Sequence, residues 1–253
     1  MSKWNMKNVL VLGDSITSDG RWQAEFARIT GATVKTHAYG GIGLIDMIDG
    51  LGAYDALVGG DLQYDPYTGC DGPFKPLHPD ELRSTDLIIV LGAYNERHME
   101  YGCRGDLFPS QNTLRGKFAY VIEKLYKMLD IAGNLKCRIL FCTPHCVGKY
   151  DWIDSDGYED FPHGSGRSLE TMAEVIKAIC GEYNLPCCDL WHTSGIGRFT
   201  WKIYANSPAA LNPDYDSEKT YTAPYPQYAD QAHLNALGYA RLGACIAAFA
   251  ETV

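Results

Sequence analysis

Three residue types that perform acyl chemistry stand in this chain where apolar runs end or helices begin. The run "VLVLGDSITSDG" (9–20) closes on Gly13-Asp14-Ser15. A serine hydroxyl is a weak nucleophile until a base takes its proton, and "DQAHLNALGY" (230–239) offers an imidazole with a carboxylate three residues before it. Such a carboxylate fixes the tautomer and orientation of the ring. Ser15, His233 and Asp230 therefore read as nucleophile, base and orienting acid for attack on a carbonyl. The tetrahedral species formed in that attack carries negative charge on oxygen and needs N–H donors aimed at it. Candidates are the backbone N–H of Ser15, a glycine of "HAYGGIG" (37–43), whose missing Cβ allows close backbone approach, and the side-chain amide of Asn95 in "GAYNE" (92–96). Asp14 reads as an acceptor for nearby backbone N–H groups.

Each of these motifs is ordinary when taken by itself. Gly, Asp, Ser and Asn are common turn residues, and an isolated Asp-x-x-His reads as a capped surface turn. Their joint order along the chain points to chemistry. His37, His78, His98, His145, His163 and His192 lack the combination of an acid three residues earlier and an Asn-capped helix afterwards. Cys142, His145 and Cys146 in "CTPHC" form half of a zinc pattern, with no second half-site at recognisable spacing. Asp154-x-Asp156-Gly157 matches part of a calcium loop, but Trp152 takes the first ligand position and His163 the twelfth, so a solvated loop is expected. No metal and no cofactor are expected.

The elements that must position these residues follow from periodicity. Short Val/Ile/Leu-rich runs alternate with longer stretches of helical spacing, the pattern of a parallel sheet covered by helices. Strands are predicted near 8–12, 33–38, 86–91, 137–142 and 186–190, and helices near 19–30, 111–132, 166–183 and 235–250. In the second helix Leu114, Phe118, Val121, Ile122, Leu125 and Leu129 recur at three- and four-residue steps, with Gly133 as the stop. Asn235 is expected to cap the last helix, whose Leu237, Ala240, Leu242, Cys245, Ile246 and Phe249 face the core. Segments 54–83, 144–165 and 193–229 break the alternation and are expected to be loop insertions in one domain spanning 1–253. In an open parallel sheet the ligand crevice lies beyond the carboxyl ends of the strands, where the motifs above fall.

Charge and composition narrow the partners. A net charge of −9 argues against nucleic acid, which requires a clustered basic surface. No stretch reaches the roughly 18–20 apolar residues of a membrane span, and "MSKWNMKNVLVLG" runs into the first strand without a signal peptide. Nine cysteines, several inside apolar runs (Cys142, Cys180, Cys245), suit buried thiols in a reducing compartment, so a cytoplasmic location is expected.

Gly13-Asp14-Ser15, a glycine after the second strand, Gly92-x-x-Asn95 and Asp230-x-x-His233 together resemble the SGNH hydrolases of the GDSL esterase/lipase superfamily. The resemblance runs in family order from about residue 8 to 249. It implies a three-layer α/β/α sandwich with a flavodoxin-like, five-stranded parallel sheet, and metal-independent hydrolysis of an ester or thioester through an acyl-serine. By position, Ser15 resembles the nucleophile and one oxyanion donor, Gly43 and Asn95 the other donors, His233 the base and Asp230 its partner. Two positions depart from the family pattern. Ala38 stands where an asparagine often precedes Gly43 by five residues, leaving Gly41 as the alternative donor, and Glu96 stands where aspartate commonly follows Asn95.

The expected activity is that of a serine esterase acting on a short acyl group such as acetate, carried by a carbohydrate or other small hydroxylated molecule. The sugar expectation rests on Phe199, Trp201, Tyr204, Tyr215, Tyr221, Tyr225 and Tyr228, which would form an aromatic wall before Asp230. The alternatives are a lysophospholipase or acyl thioesterase acting on longer chains, and a non-catalytic ester- or sugar-binding module on the same fold. A nucleotide-binding domain is disfavoured because no G-x-G-x-x-G follows the first strand.

Overall fold

The computed structural model describes residues 1–50, 74–97, 99–103, 112–146, 168–197, 199–206 and 232–253. Five strands form one parallel sheet: β1 (Asn8–Gly13), β2 (Thr33–Ala38), β3 (Leu87–Leu91), β4 (Arg138–Cys142) and β5 (Cys187–Cys188). Their order is β2-β1-β3-β4-β5, so the chain reverses direction across the sheet between β1 and β3. β3 is buried at every residue and β1 at all but its first, because both faces of these central strands are covered. That double burial explains their unbroken apolar sequence. β2, "TVKTHA", lies at one edge and contains no fully buried residue.

The principal helices are α1 (Ser15–Ser18), α2 (Arg21–Thr30), α3 (Asp46–Asp49), α4 (Leu114–Ile131), α5 (Leu169–Glu182), α6 (Leu190–Thr193), α7 (Trp201–Tyr204) and α8 (Ala236–Ala250). With the strand order reversing between β1 and β3, the right-handed crossovers that parallel strands favour put helices on both faces, a three-layer α/β/α architecture. In one layer α8 lies on α2 so closely that a Cβ at Gly243 would meet the Trp22 carbonyl. In the other, Phe118 of α4 packs on Phe141 of β4, with ring centroids 5.5 Å apart. Tyr120 and Lys124 of α4 also bind the Asp49 carboxylate at the end of α3.

Capping chemistry sets the helix limits. Thr113 accepts from Gly116 N, Ser168 from Thr171 N and Asn235 from Gly238 N. Gly133, at φ 68°, ends α4: its N–H donates to Asp130 O, and Asn134 N–H reaches back to Leu129 O. These paired bonds satisfy the carbonyls left open by the last turn.

Three expectations change. The fifth strand shrinks from 186–190 to Cys187–Cys188, because the Asp189 side chain accepts from His192 N and starts α6. The helix expected at 19–30 begins at Arg21, after Gly20 at φ 79°, and the chain before it forms a separate short helix, α1, that the periodicity does not predict. Leu237, assigned to the core face of α8, is 58% exposed. The insertion reading of 54–83 and 193–229 gains two short helical pieces, a 3-10 turn at Pro79–Leu82 and α7. Among the described residues, no helix is long and apolar enough to cross a membrane.

Candidate active site

Ser15 begins α1 directly after β1, and Asp14 is the N-cap. Asp14 Oδ1 accepts from Ile16 N at 3.1 Å, and its backbone carbonyl accepts from Thr17 N and Ser18 N. This tight turn fits against β3 because residue 13 has no side chain. A Cβ at Gly13 would lie 2.5 Å from Leu91 O, in the space where Thr17 Oγ1 donates to the same carbonyl at 3.2 Å. The serine is thus held at the β1/β3 reversal, the position at which flavodoxin-like sheets bind ligands.

His233 meets Ser15 here, although 218 residues separate them in the chain: Nε2 lies 2.8 Å from Ser15 Oγ. Both residues are partly exposed. The backbone around His233 is tied to the segment ending α7, with Asn206 N donating to His233 O at 2.9 Å and an antiparallel bridge joining Ala205 to Leu234. Asp230, the expected orienting acid, lies outside the described residues, as do Tyr215, Tyr221, Tyr225, Tyr228 and the calcium-like 152–163 loop.

The proposed oxyanion donors occupy one connected loop system. Asn95 lies in a 3-10 turn after β3, entered through Ala93, a buried non-glycine residue at φ 81°. Asn95 Nδ2 donates to Ile42 O at 2.8 Å, which leaves its second amide hydrogen for another acceptor. Gly43 N–H donates to Asp46 Oδ2 at 2.9 Å, so its hydrogen is directed to a carboxylate. Gly41, at φ 80°, is exposed. Glu96, which sequence reading treated only as a departure from the family pattern, is buried, and its Oε1 accepts from Leu44 N and Lys117 Nζ, each at 2.9 Å. A Cβ at Gly43 would come within 2.5 Å of that same oxygen. The acid therefore lies under the glycine loop and directly after the asparagine.

Complete burial pushes the Asp14 carboxyl up from its usual 3.8 to about 7, with the Ile16 N–H and the nearby His233 opposing the rise and Glu96 adding to it. The folded chain therefore binds this proton more tightly than the unfolded chain. The resulting stabilisation is complete below pH 3.8 and is lost as pH rises through about 7; it amounts to on the order of 4 kcal/mol. Asp14→Asn keeps an oxygen to cap α1 and removes the titration. Thermal melts between pH 4 and 8 are expected to show the parent losing stability relative to Asp14→Asn as pH rises, and a constant difference would contradict the assignment.

Both ring nitrogens of His145 are engaged, by the Tyr94 hydroxyl and by Ala232 O. Among the described residues, Glu174, Asp189 and His192 form the group close enough to share an ion. The Lys177 ammonium already lies there, 3.0 Å from Glu174 and 2.8 Å from Asp189.

No family model matches the sequence, and no curated protein matches it. Solved structures do match over nearly the full length. A protein described as a possible lipase from Chitinophaga pinensis shares 18% identity and superposes with a TM-score of 0.61, covering 95% of this chain and 96% of its own. A protein from Lactobacillus plantarum gives 16% identity and a TM-score of 0.61, with 98% of each chain covered. A candidate SGNH hydrolase from Slackia heliotrinireducens gives 15% identity and a TM-score of 0.50, covering 97% of this chain and 100% of its own. The fold is that of the SGNH hydrolases, as the sequence resemblance implied.

Proposed function

We propose that the chain is a serine hydrolase of the SGNH class that removes a short acyl group, such as acetate, from a small hydroxylated or carbohydrate ester. The observation that carries this reading is the 2.8 Å contact between Ser15 Oγ and His233 Nε2 at the sheet reversal. A hydroxyl within hydrogen-bond reach of an imidazole is the minimal activated nucleophile.

In the proposed cycle, His233 Nε2 takes the Ser15 proton as Oγ attacks the ester carbonyl. Asp230, three residues earlier, is assigned to accept from the Nδ1–H of that ring. The Ser15 N–H and the second hydrogen of the Asn95 amide meet the developing oxyanion. Gly43 can contribute as the third donor only after its N–H leaves Asp46, which strengthens Gly41 as the alternative. His233 then protonates the departing alkoxide, leaving an acyl-serine, and activates the water that releases the acid and restores Ser15.

The longer-chain alternative has one observation in its favour. Phe199 is 86% exposed, Leu237 58% and Ile203 47%, on the two segments joined by the Ala205–Leu234 bridge beside His233. An alkyl chain laid on them would cover apolar surface. Initial rates on p-nitrophenyl acetate, butyrate and octanoate in the presence of a chelator separate the two readings. Turnover that survives the chelator and is fastest on acetate is expected, whereas a maximum at octanoate would favour the lysophospholipase or thioesterase reading. Absence of turnover on every ester would leave the binding module.

A further inference from the structure

A buried polar connection joins the loop after β3, the loop after β4 and the segment bearing His233. His145 is wholly buried, and Tyr94 and Ala232 are 9% and 7% exposed. Ala232 O is 3.0 Å from His145 Nε2, and a carbonyl oxygen only accepts, so Nε2 must carry the hydrogen. Nδ1 of the neutral ring is then an acceptor, and the Tyr94 hydroxyl, in close contact with it, donates. The same hydroxyl oxygen accepts from His145 N–H at 2.7 Å. Every hydrogen in this connection has one consistent place. Burial supports the assignment by holding Tyr94 protonated, well above its usual range.

We propose that His145 is a positioning residue which, as the Nε2–H tautomer with the Tyr94 hydroxyl on its Nδ1, anchors the Ala232 carbonyl and thereby seats the adjoining His233 imidazole against Ser15. Tyr94 precedes Asn95, so the connection also ties the position of the base to that of the oxyanion donor. His145 bonds through its ring nitrogens to Tyr94 and Ala232 rather than to Ser15 or His233. Its effect passes through the peptide that links residues 232 and 233, and a small displacement of that peptide would lengthen the 2.8 Å contact.

The kinetic part of the test rests on the serine-hydrolase reading, so a readout independent of turnover accompanies it. His145→Phe removes the donor to Ala232, His145→Gln retains a side-chain N–H able to reach it, and Tyr94→Phe removes only the hydroxyl that donates to Nδ1. On p-nitrophenyl acetate, His145→Phe is expected to lower kcat by about 100-fold, the scale of a base displaced by about 1 Å, with KM nearly unchanged. His145→Gln should recover most of the loss, and Tyr94→Phe should fall between them. In parallel, hydrogen exchange of peptides spanning 232–236 should accelerate in His145→Phe and return towards the parent rate in His145→Gln. A parent without turnover would overturn the hydrolase reading while the exchange data still decided the anchoring. Unchanged exchange in His145→Phe, or a loss confined to KM, or a glutamine variant as impaired as phenylalanine, would overturn the role of His145.

Discussion

Ser15→Ala and His233→Ala are each expected to lower kcat on p-nitrophenyl acetate by at least about 10³-fold, with the double variant scarcely worse than either single change. Nucleophile and base act as one unit, so removing either disables the same step and the losses do not add. A 10³-fold loss corresponds to about 4 kcal/mol of transition-state stabilisation. The residual rate would come from the Ser15 N–H and the Asn95 amide, which remain after the hydroxyl or the imidazole is gone. Stability should move little, because both side chains are only partly buried and their mutual contact is a single hydrogen bond. The experiment therefore pairs steady-state rates with thermal melts. Full activity in Ser15→Ala would remove the acyl-serine from the proposal, whereas additive losses would mean that the two residues act in separate steps.

The distinction between what could be read from the sequence and what could not follows the range of the interactions. Gly13-Asp14-Ser15 was legible because its determinants are local: an apolar strand, a glycine where the chain must approach β3, and an acid that caps the next turn. Asn235 and Gly133 were legible for the same reason, since capping is written within three residues of a helix end. The meeting of Ser15 with His233 was inferred from the order of motifs and from the rule that parallel strands deliver their loops to one edge.

The strand ending at Cys188 was overestimated because apolar character alone does not reveal that Asp189 turns the chain into a helix. Leu237 was misplaced because its spacing fits the core face although α8 leaves it outside. The Gly43–Asp46 bond did have a signal, an acid three residues after a glycine at the entry to α3, which parallels the reciprocal half of a capping box. The Tyr94–His145–Ala232 connection had none, since its partners lie 51 and 87 residues apart and only the fold brings them together.

Glu96 is where stability and the proposed chemistry are most tightly joined. Its side chain is 1% exposed and its cationic partner Lys117 is 19% exposed, so the pair is largely removed from water. Removing one member of a buried pair costs about 3–5 kcal/mol, because the other charge is left without compensation. In a chain of this size that is expected to lower the melting temperature of Glu96→Ala by about 10 °C. The acid also accepts from Leu44 N, so Glu96→Ala frees the Gly41–Leu44 loop from beneath and takes away the residue that flanks Asn95. A fall in kcat at temperatures where the variant remains folded should therefore accompany the loss of stability. Glu96→Gln, which keeps an oxygen for Leu44 N but gives up the charge, should retain more activity than stability. Pairing Glu96→Gln with Lys117→Met should restore part of the melting temperature by removing the unpaired ammonium. Melts and kcat measured across these variants thus resolve two contributions of one side chain. If Glu96→Ala and Glu96→Gln lost activity equally, the Leu44 hydrogen bond would have no part in shaping the oxyanion loop, and the charge alone would account for the effect.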